Sequence, residues 1–360
     1  MDEDLQELAC WLLLTFKCGL STQVVNAIVT SWCQRQGRSL KAFFAADSQE
    51  WQALCQLKDK AIDKLERVRM SNPQEAPEGP HELPLLAEQA SLVKQLSYDG
   101  IHILTVLDES YPRQIKATLK PNELPPVLFY AGDLHILDNI NIAIIGSRNA
   151  GEASIMFARE AAQCLAEQDA NVISGFARGV DRAAYEGATS TQGYTTVVLP
   201  HGINKLSDVQ MYSLLPKIVA GKVLLLSQFH PHAPWLVSRA MERNKVVTGL
   251  AQVVIVAEAN THGGTWAGAI GALEQKRSVY VCQTESSALL AGNQALIERG
   301  AHPLYWSTTE AVQDTYTAGV LAPLLYEGDK LQHREKQCTL TLSHQITNIL
   351  KEHRRAYNYY

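Results

Sequence analysis

Residues 173–188 read ISGFARGVDRAAYEGA. An apolar run ends at Ser174, two glycines bracket an arginine, and Asp181 opens a small-residue segment. Gly175, Arg178 and Gly179 thus stand where a strand turns into a helix. Such a turn either only redirects the chain or also holds an anion. Glycine lets backbone N–H groups approach a phosphate closely. A helix starting there adds the positive end of its dipole, and arginine supplies a planar fork of donors. Three further stretches share these features: GSR (Gly146, Ser147, Arg148), SRAMERNK (238–245, with Arg239, Arg243, Asn244 and Lys245) and EANTHGGTWAG (258–268, with Gly263, Gly264 and Thr265).

The elements that would carry these loops are legible as periodicity. Short apolar, β-branched runs lie at 141–146, 171–175, 195–200, 222–227, 252–257 and 278–282. They alternate with helix-like stretches at 152–168, 180–191, 208–220, 237–248, 264–276 and 287–299. That alternation predicts βαβ units: an α/β fold with a doubly wound, mostly parallel, extended Rossmann-like sheet. The runs are apolar throughout, as strands covered on both faces are. All four loops then fall at carboxyl ends of strands, where open α/β sheets bind ligands. Ahead of this domain (84–310), residues 4–70 read as a small helical module. ADSQEW within it resembles a helix cap and start. A Pro-rich linker covers 71–83, and a helix runs near 84–98. The tail, 311–360, ends in an amphipathic helix with basic residues.

Other chemistries have less support. Asp181 either caps the following helix or orients Arg178, and Glu258 is either a catalytic carboxylate or a structural acceptor. Arg182 reads as an exposed helix residue. His201, His230, His232 and His262 fall near strand ends, but no second spaced pair accompanies HPH, so no metal is expected. No Ser-His-Asp or Cys-His set stands out. GSRNAG (146–151) departs from GxGxxG and lacks an acid for a ribose, which disfavours a dinucleotide cofactor.

The formal net charge of −5 argues against a wide basic face, though not against a local basic pocket. Seven cysteines without a CxxC pair suggest buried free thiols in a reducing compartment. The acidic start Met-Asp-Glu-Asp is unlike a signal peptide. No segment has the length of a bilayer span. The expectation is a cytoplasmic protein without a membrane partner.

AIIGSRNAG (143–151), VISGFARGVDRAAYEGA (172–188), MERNKVVTGLAQVVIVAEA (241–259) and GNQALIERGA (292–301), in this order, resemble the DNA-processing protein A (DprA/Smf) family. LDESYPRQIKATLKPNELPPVLFYAGD (107–133) resembles the segment that opens its main domain. The N-terminal helices suit the family's sterile-alpha-motif or helix-hairpin-helix-like extension. The resemblance implies a homodimeric recombination mediator of natural transformation and competence, a binding protein and not an enzyme. Such a protein binds single-stranded DNA, loads RecA, and removes single-strand-binding protein as a barrier, with no cofactor. Carried over by motif, Gly146, Ser147 and Arg148 would contact phosphate. Gly175, Phe176, Arg178 and Gly179 would form the neighbouring wall, and Arg243, Asn244 and Lys245 would complete the pocket. Phe176 either offers a face to a base or packs under the turn.

The chain departs from the family pattern at Lys245, where arginine is usual, and at His262-Gly263-Gly264-Thr265. It departs again at Gln283-Thr284-Glu285 and at HPHAPW (230–235). Its tail resembles only a reduced winged-helix domain. A rival reading is a nucleotide-binding sensor or nucleotide hydrolase. HGGTWAGAIGALE (262–274) loosely resembles the GG-T turn and nearby Glu, here Glu274, of cytokinin-activating phosphoribohydrolases. A third reading is a scaffold that binds proteins alone.

Overall fold

The structure, a computed structural model, describes residues 3–70, 85–284, 290–307 and 342–357. The chain divides into two compact units. The first comprises residues 1–131, 201–206 and 226–234, and the second comprises 132–200, 207–225 and 235–360. The linker read at 71–83 lies outside the described residues, and the break between units follows Ala131.

The first unit is mainly helical: α1 (Glu3–Leu12), α2 (Thr22–Ile28), α3 (Leu40–Ala45), α4 (Ser48–Cys55), α5 (Asp59–Met70), α6 (Leu85–Tyr98) and α7 (Arg113–Thr118). Its turns carry side-chain caps. Ser21, Ser39 and Asp47 each accept from the backbone N–H of the third residue of the next helix, which satisfies one otherwise orphaned donor. Trp32, Phe43 and Trp51 form the aromatic centre, and the Trp51 indole donates to the Phe43 carbonyl at 2.7 Å. Strands β1 (His102–Thr105) and β2 (Val127–Ala131) pair antiparallel.

The second unit holds β3 (Asn141–Gly146), β4 (Asn171–Ser174), β5 (Tyr194–Val198), residues 223–225 of β6 (Val223–Ser227), β7 (Val253–Glu258), β8 (Ser278–Thr284) and β9 (His302–Trp306). They run in the order β6-β5-β4-β3-β7-β8-β9, and the pairs β4/β5, β3/β4, β3/β7, β7/β8 and β8/β9 are parallel. The expected doubly wound α/β sheet is therefore present. The order reverses between β3 and β7, which creates the crevice such sheets use for ligands. Pro303 in β9 donates no ladder bond and is tolerated because β9 is the last strand in that order.

The intervening helices are α8 (Glu152–Ala166), α9 (Val180–Ser190), α10 (Asp208–Val219), α11 (Val237–Leu250), α12 (Gly264–Glu274) and α13 (Ala291–Glu298). Ile142, Ile144, Val172, Val253 and Ile255 pack on α8 and α9 in one buried cluster. Helix α14 (Leu342–Tyr357) adds Leu342, Ile346, Ile349 and Leu350 to it. Side chains alternate across a strand, so Ala143 and Val254 turn to the opposite face, yet they too are fully buried. Helices α11 and α12 contact β3 and β7 respectively. Strands covered on both faces explain their unbroken apolar runs.

Buried amides tie this sheet together. The Asn171 side chain donates to Asn141 Oδ1 at 2.6 Å and to Thr196 Oγ1 at 2.9 Å. Asn293 on α13 donates to the Ala257 and Cys282 carbonyls and accepts from the Ala259 N–H.

Residues 238–245, read both as a candidate binding loop and within the helix-like stretch 237–248, form the first turns of α11. Between Val237 and Gly249 there is no Gly or Pro, and Arg, Ala, Met, Glu and Lys favour helix. Among the described residues no helix is long and apolar enough to cross a membrane.

Candidate functional site

A cleft of about 350 Å³ opens within the second unit. It is lined by the turn after β3, by Gly175, Ala177 and Asp181 after β4, by one side of α11, by Asn260, His262 and Gly263 ahead of α12, and by Gly264, Thr265 and Gly268 of α12. It lies at the carboxyl ends of β3, β4 and β7, at the reversal of strand order.

A bulge and three hydrogen bonds hold the turn after β3. The register between β3 and β7 slips at Ile145/Gly146, a bulge that re-aims the next residues. The Ser147 N–H donates to the Glu258 carbonyl at 3.0 Å, and the Ser147 hydroxyl accepts from the Asn149 N–H at 3.1 Å. The Glu258 carboxylate accepts from the Gly151 N–H at 2.9 Å, just ahead of α8. The Glu258 carboxylate is thus engaged as a hydrogen-bond acceptor.

The glycines of the opening motif serve close approaches. A β-carbon on Gly175 would run into the Arg243 guanidinium. Gly179 has φ +88°, and a β-carbon there would lie 2.5 Å from the Ser147 carbonyl oxygen. Gly146 packs against Val180. The two turns are thus seated on one another, and only glycine fits between them.

Arg243 is 3% exposed. From α11 it donates to the Gly175 carbonyl at 2.6 Å and to the Val198 carbonyl, clamping the ends of β4 and β5. Its other nitrogen stands 4.0 Å from the Asp181 carboxylate, whose side chain is 13% exposed. Burial pushes the Asp181 carboxyl above its ordinary range, against the pull of Arg243 and the Ala177 N–H. Burial also lowers the Arg243 pKa, but a guanidinium stays charged. Asp181 therefore pairs with Arg243, not with Arg178.

Of the arginines on these turns and on α11, Arg148 and Arg178 are the exposed ones. Arg178 donates to Asn149 Oδ1, which joins the tips of the two turns. The Arg148 guanidinium lies 5.3 Å from the Trp235 ring centre. Since Asp181 offsets Arg243, the lining takes its net positive charge from Arg148. Opposite, the first N–H groups of α12 at Gly264 and Thr265 have no carbonyl partner inside the helix. Gly263, at φ +90°, sets that helix start, and the Asn244 side chain donates to the Gly264 carbonyl at 3.3 Å.

The cleft thus gathers Gly146, Ser147, Arg148, Gly175, Asp181, Arg243, Asn244, Gly263, Gly264 and Thr265. Phe176 is buried at φ +57°, edge-on to Tyr185 and beneath the Arg182 guanidinium, so its ring packs under the turn. Lys245 is exposed on α11 and is not among the lining residues. Asn149, Trp235 and Met241 escaped the sequence reading. For Asn149 a signal existed, because it directly follows GSR. Among the described residues no group of three His, Cys, Asp or Glu side chains is arranged to hold a metal.

The chain resembles known proteins. A model of the family described as DNA recombination-mediator protein A matches residues 102–316. Protein Smf of Escherichia coli (strain K12) is 31% identical over 179 residues, which are 50% of this chain and 47% of that protein. DNA processing protein DprA of Streptococcus pneumoniae is 29% identical over 198 residues, 55% of this chain and 68% of that protein. The match thus spans about half the length of the first relative. The X-ray structure of DNA processing protein A from Streptococcus pneumoniae superposes with a TM-score of 0.57 at 22% identity, covering 82% of this chain and 94% of that one. That likeness is one of fold.

Proposed function

The chain belongs to the DNA recombination-mediator protein A family, and from that premise we propose that its strand-end cleft binds the phosphate backbone of single-stranded DNA. The observation that carries this reading is the exposed Arg148 in the cleft lining with the α12 N-terminus, joined through Asn149 to the exposed Arg178, which itself stands outside the lining. Guanidinium forks and unpaired N–H groups recognise phosphate without reading sequence. The protein then acts as a binding protein that delivers the strand to RecA, clears single-strand-binding protein and works as a homodimer. Its affinity falls as salt rises, because neutralised phosphates release counterions.

Fluorescence anisotropy of a labelled thymidine oligomer tests this. Single strands bind better than duplex at low salt. Arg148→Ala and Arg178→Ala each lose roughly 1.5–3 kcal/mol, the contribution of a hydrogen bond to a charged group. Each also lowers the salt slope by about one. Binding unchanged in both variants refutes the assignment. The cleft volume also lies in the range of small-ligand pockets, which favours a mononucleotide as the second reading. Thermal stabilisation by mononucleotides, together with no oligomer binding at low salt, would select it.

A further inference from the structure

Resting on the single-strand reading above, we propose that Trp235 is the base platform of the cleft, stacking one nucleobase while Arg148 holds an adjoining phosphate.

Where the chain enters α11 it exposes three large apolar residues in succession. Trp235 and Leu236 are each 45% exposed and Val237 66%. Met241, one turn further on, is 39% exposed. Leu236 has φ −139°, so the segment enters the helix in extended form. Packing does not account for leaving such side chains in water, and a contiguous apolar patch on a surface marks a binding site. This patch adjoins the cleft, whose lining includes Val237 and Met241.

The Arg148 guanidinium, 5.3 Å from the indole centre, joins the patch to the phosphate-binding turn. A guanidinium resting on an aromatic ring still presents its N–H edges outward, so one cation can serve a ring and a phosphate together. A phosphate taken by Arg148 therefore brings the attached nucleotide beside Trp235. Every base has a π-face, so stacking is tolerant of sequence. A base inside a duplex is already stacked on both sides and has no free face to offer. Trp235 thus adds a preference for single strands to a phosphate site that would otherwise accept either form.

The experiment compares a labelled thymidine oligomer with an abasic oligomer carrying the same number of phosphates. Native protein binds the thymidine form roughly 5- to 150-fold more tightly, the range that base–aromatic stacking supports. Trp235→Ala loses that margin on the thymidine oligomer and leaves abasic affinity and the salt slope unchanged. Trp235→Phe retains most of the margin. Thymidine binding also quenches native tryptophan fluorescence, and this quenching shrinks in Trp235→Phe. Equal native affinity for the two oligomers overturns the proposal, as does a Trp235→Ala variant that binds the thymidine oligomer like the native protein. A native protein that binds neither oligomer at low salt refutes the single-strand reading itself, and this inference with it.

Discussion

Replacing Arg243 with methionine should destabilise the second unit strongly, because this buried side chain is a clamp. Methionine fills much of the same volume with an adaptable chain, which limits the cavity contribution. What disappears is the donor to the Gly175 and Val198 carbonyls and the counter-charge to Asp181. Each buried acceptor left without a donor costs about 1–3 kcal/mol. Removing one partner of a buried ion pair costs about 3–5 kcal/mol in total, a figure that already includes the uncompensated charge. We expect about 3–5 kcal/mol from urea unfolding of Arg243→Met. Adding Asp181→Asn should recover about 1–2 kcal/mol, within the coupling range of contacting residues.

The loss should depend on pH. Burial already raises the Asp181 pKa above its ordinary value of 3.8, and without Arg243 it rises further. Between the unfolded and folded values the native state holds more protons, so stability falls as pH rises through that window. The deficit of the variant relative to native protein should therefore shrink toward acid. A loss below about 1 kcal/mol, or one unaffected by Asp181→Asn, would refute the clamp.

Further predictions concern the scaffold. Gly175→Ala forces a β-carbon against the Arg243 guanidinium, so thermal and urea unfolding should register about 1–3 kcal/mol of overpacking. Asn293→Leu strips partners from the Ala257 and Cys282 carbonyls and the Ala259 N–H. It should cost about 2–4 kcal/mol by the same measurement. Burial pushes Cys10 and Cys18 up to about 12. At pH 8 a thiol reagent should modify them only as fast as the first unit opens, as read by peptide mass spectrometry. Burial, with Lys17 and His232 nearby, lowers His230 from 6.5 to about 4. Between those values the unfolded chain holds more protons, so stability is lost as pH falls from about 6.5 to 4. His230→Leu should flatten that part of the urea-stability profile.

Much of the fold was legible in the chain. Strands buried on both faces write unbroken β-branched runs, and the helices between them follow a 3.6-residue period. Both signals are local, so β3 to β8 and α8 to α13 fell near their observed places. Strands β1, β2 and β9 escaped: β1 and β2 form an antiparallel pair outside the βαβ alternation, and β9 opens on His302-Pro303, which interrupts a strand pattern.

At the cleft, residue type and spacing along the sequence were enough to single out GSR, GFARGVD, RNK and HGGT. They were not enough to assign work to individual side chains. Arg148 and Arg243 are both arginines beside turns, yet one reaches solvent and the other is enclosed. Gly175 and Gly179 read as phosphate glycines, while their immediate neighbours are a guanidinium and the backbone of another turn. Trp235 carried no signal, because an apolar residue in sequence is ordinarily a core residue. What the sequence by itself determined was the order of elements and the rim at which their loops meet. Which cation faces the ligand, which glycine admits a neighbour and which aromatic stays exposed were decided by tertiary packing. Those properties depend on contacts between segments far apart in the chain, and no local pattern records them.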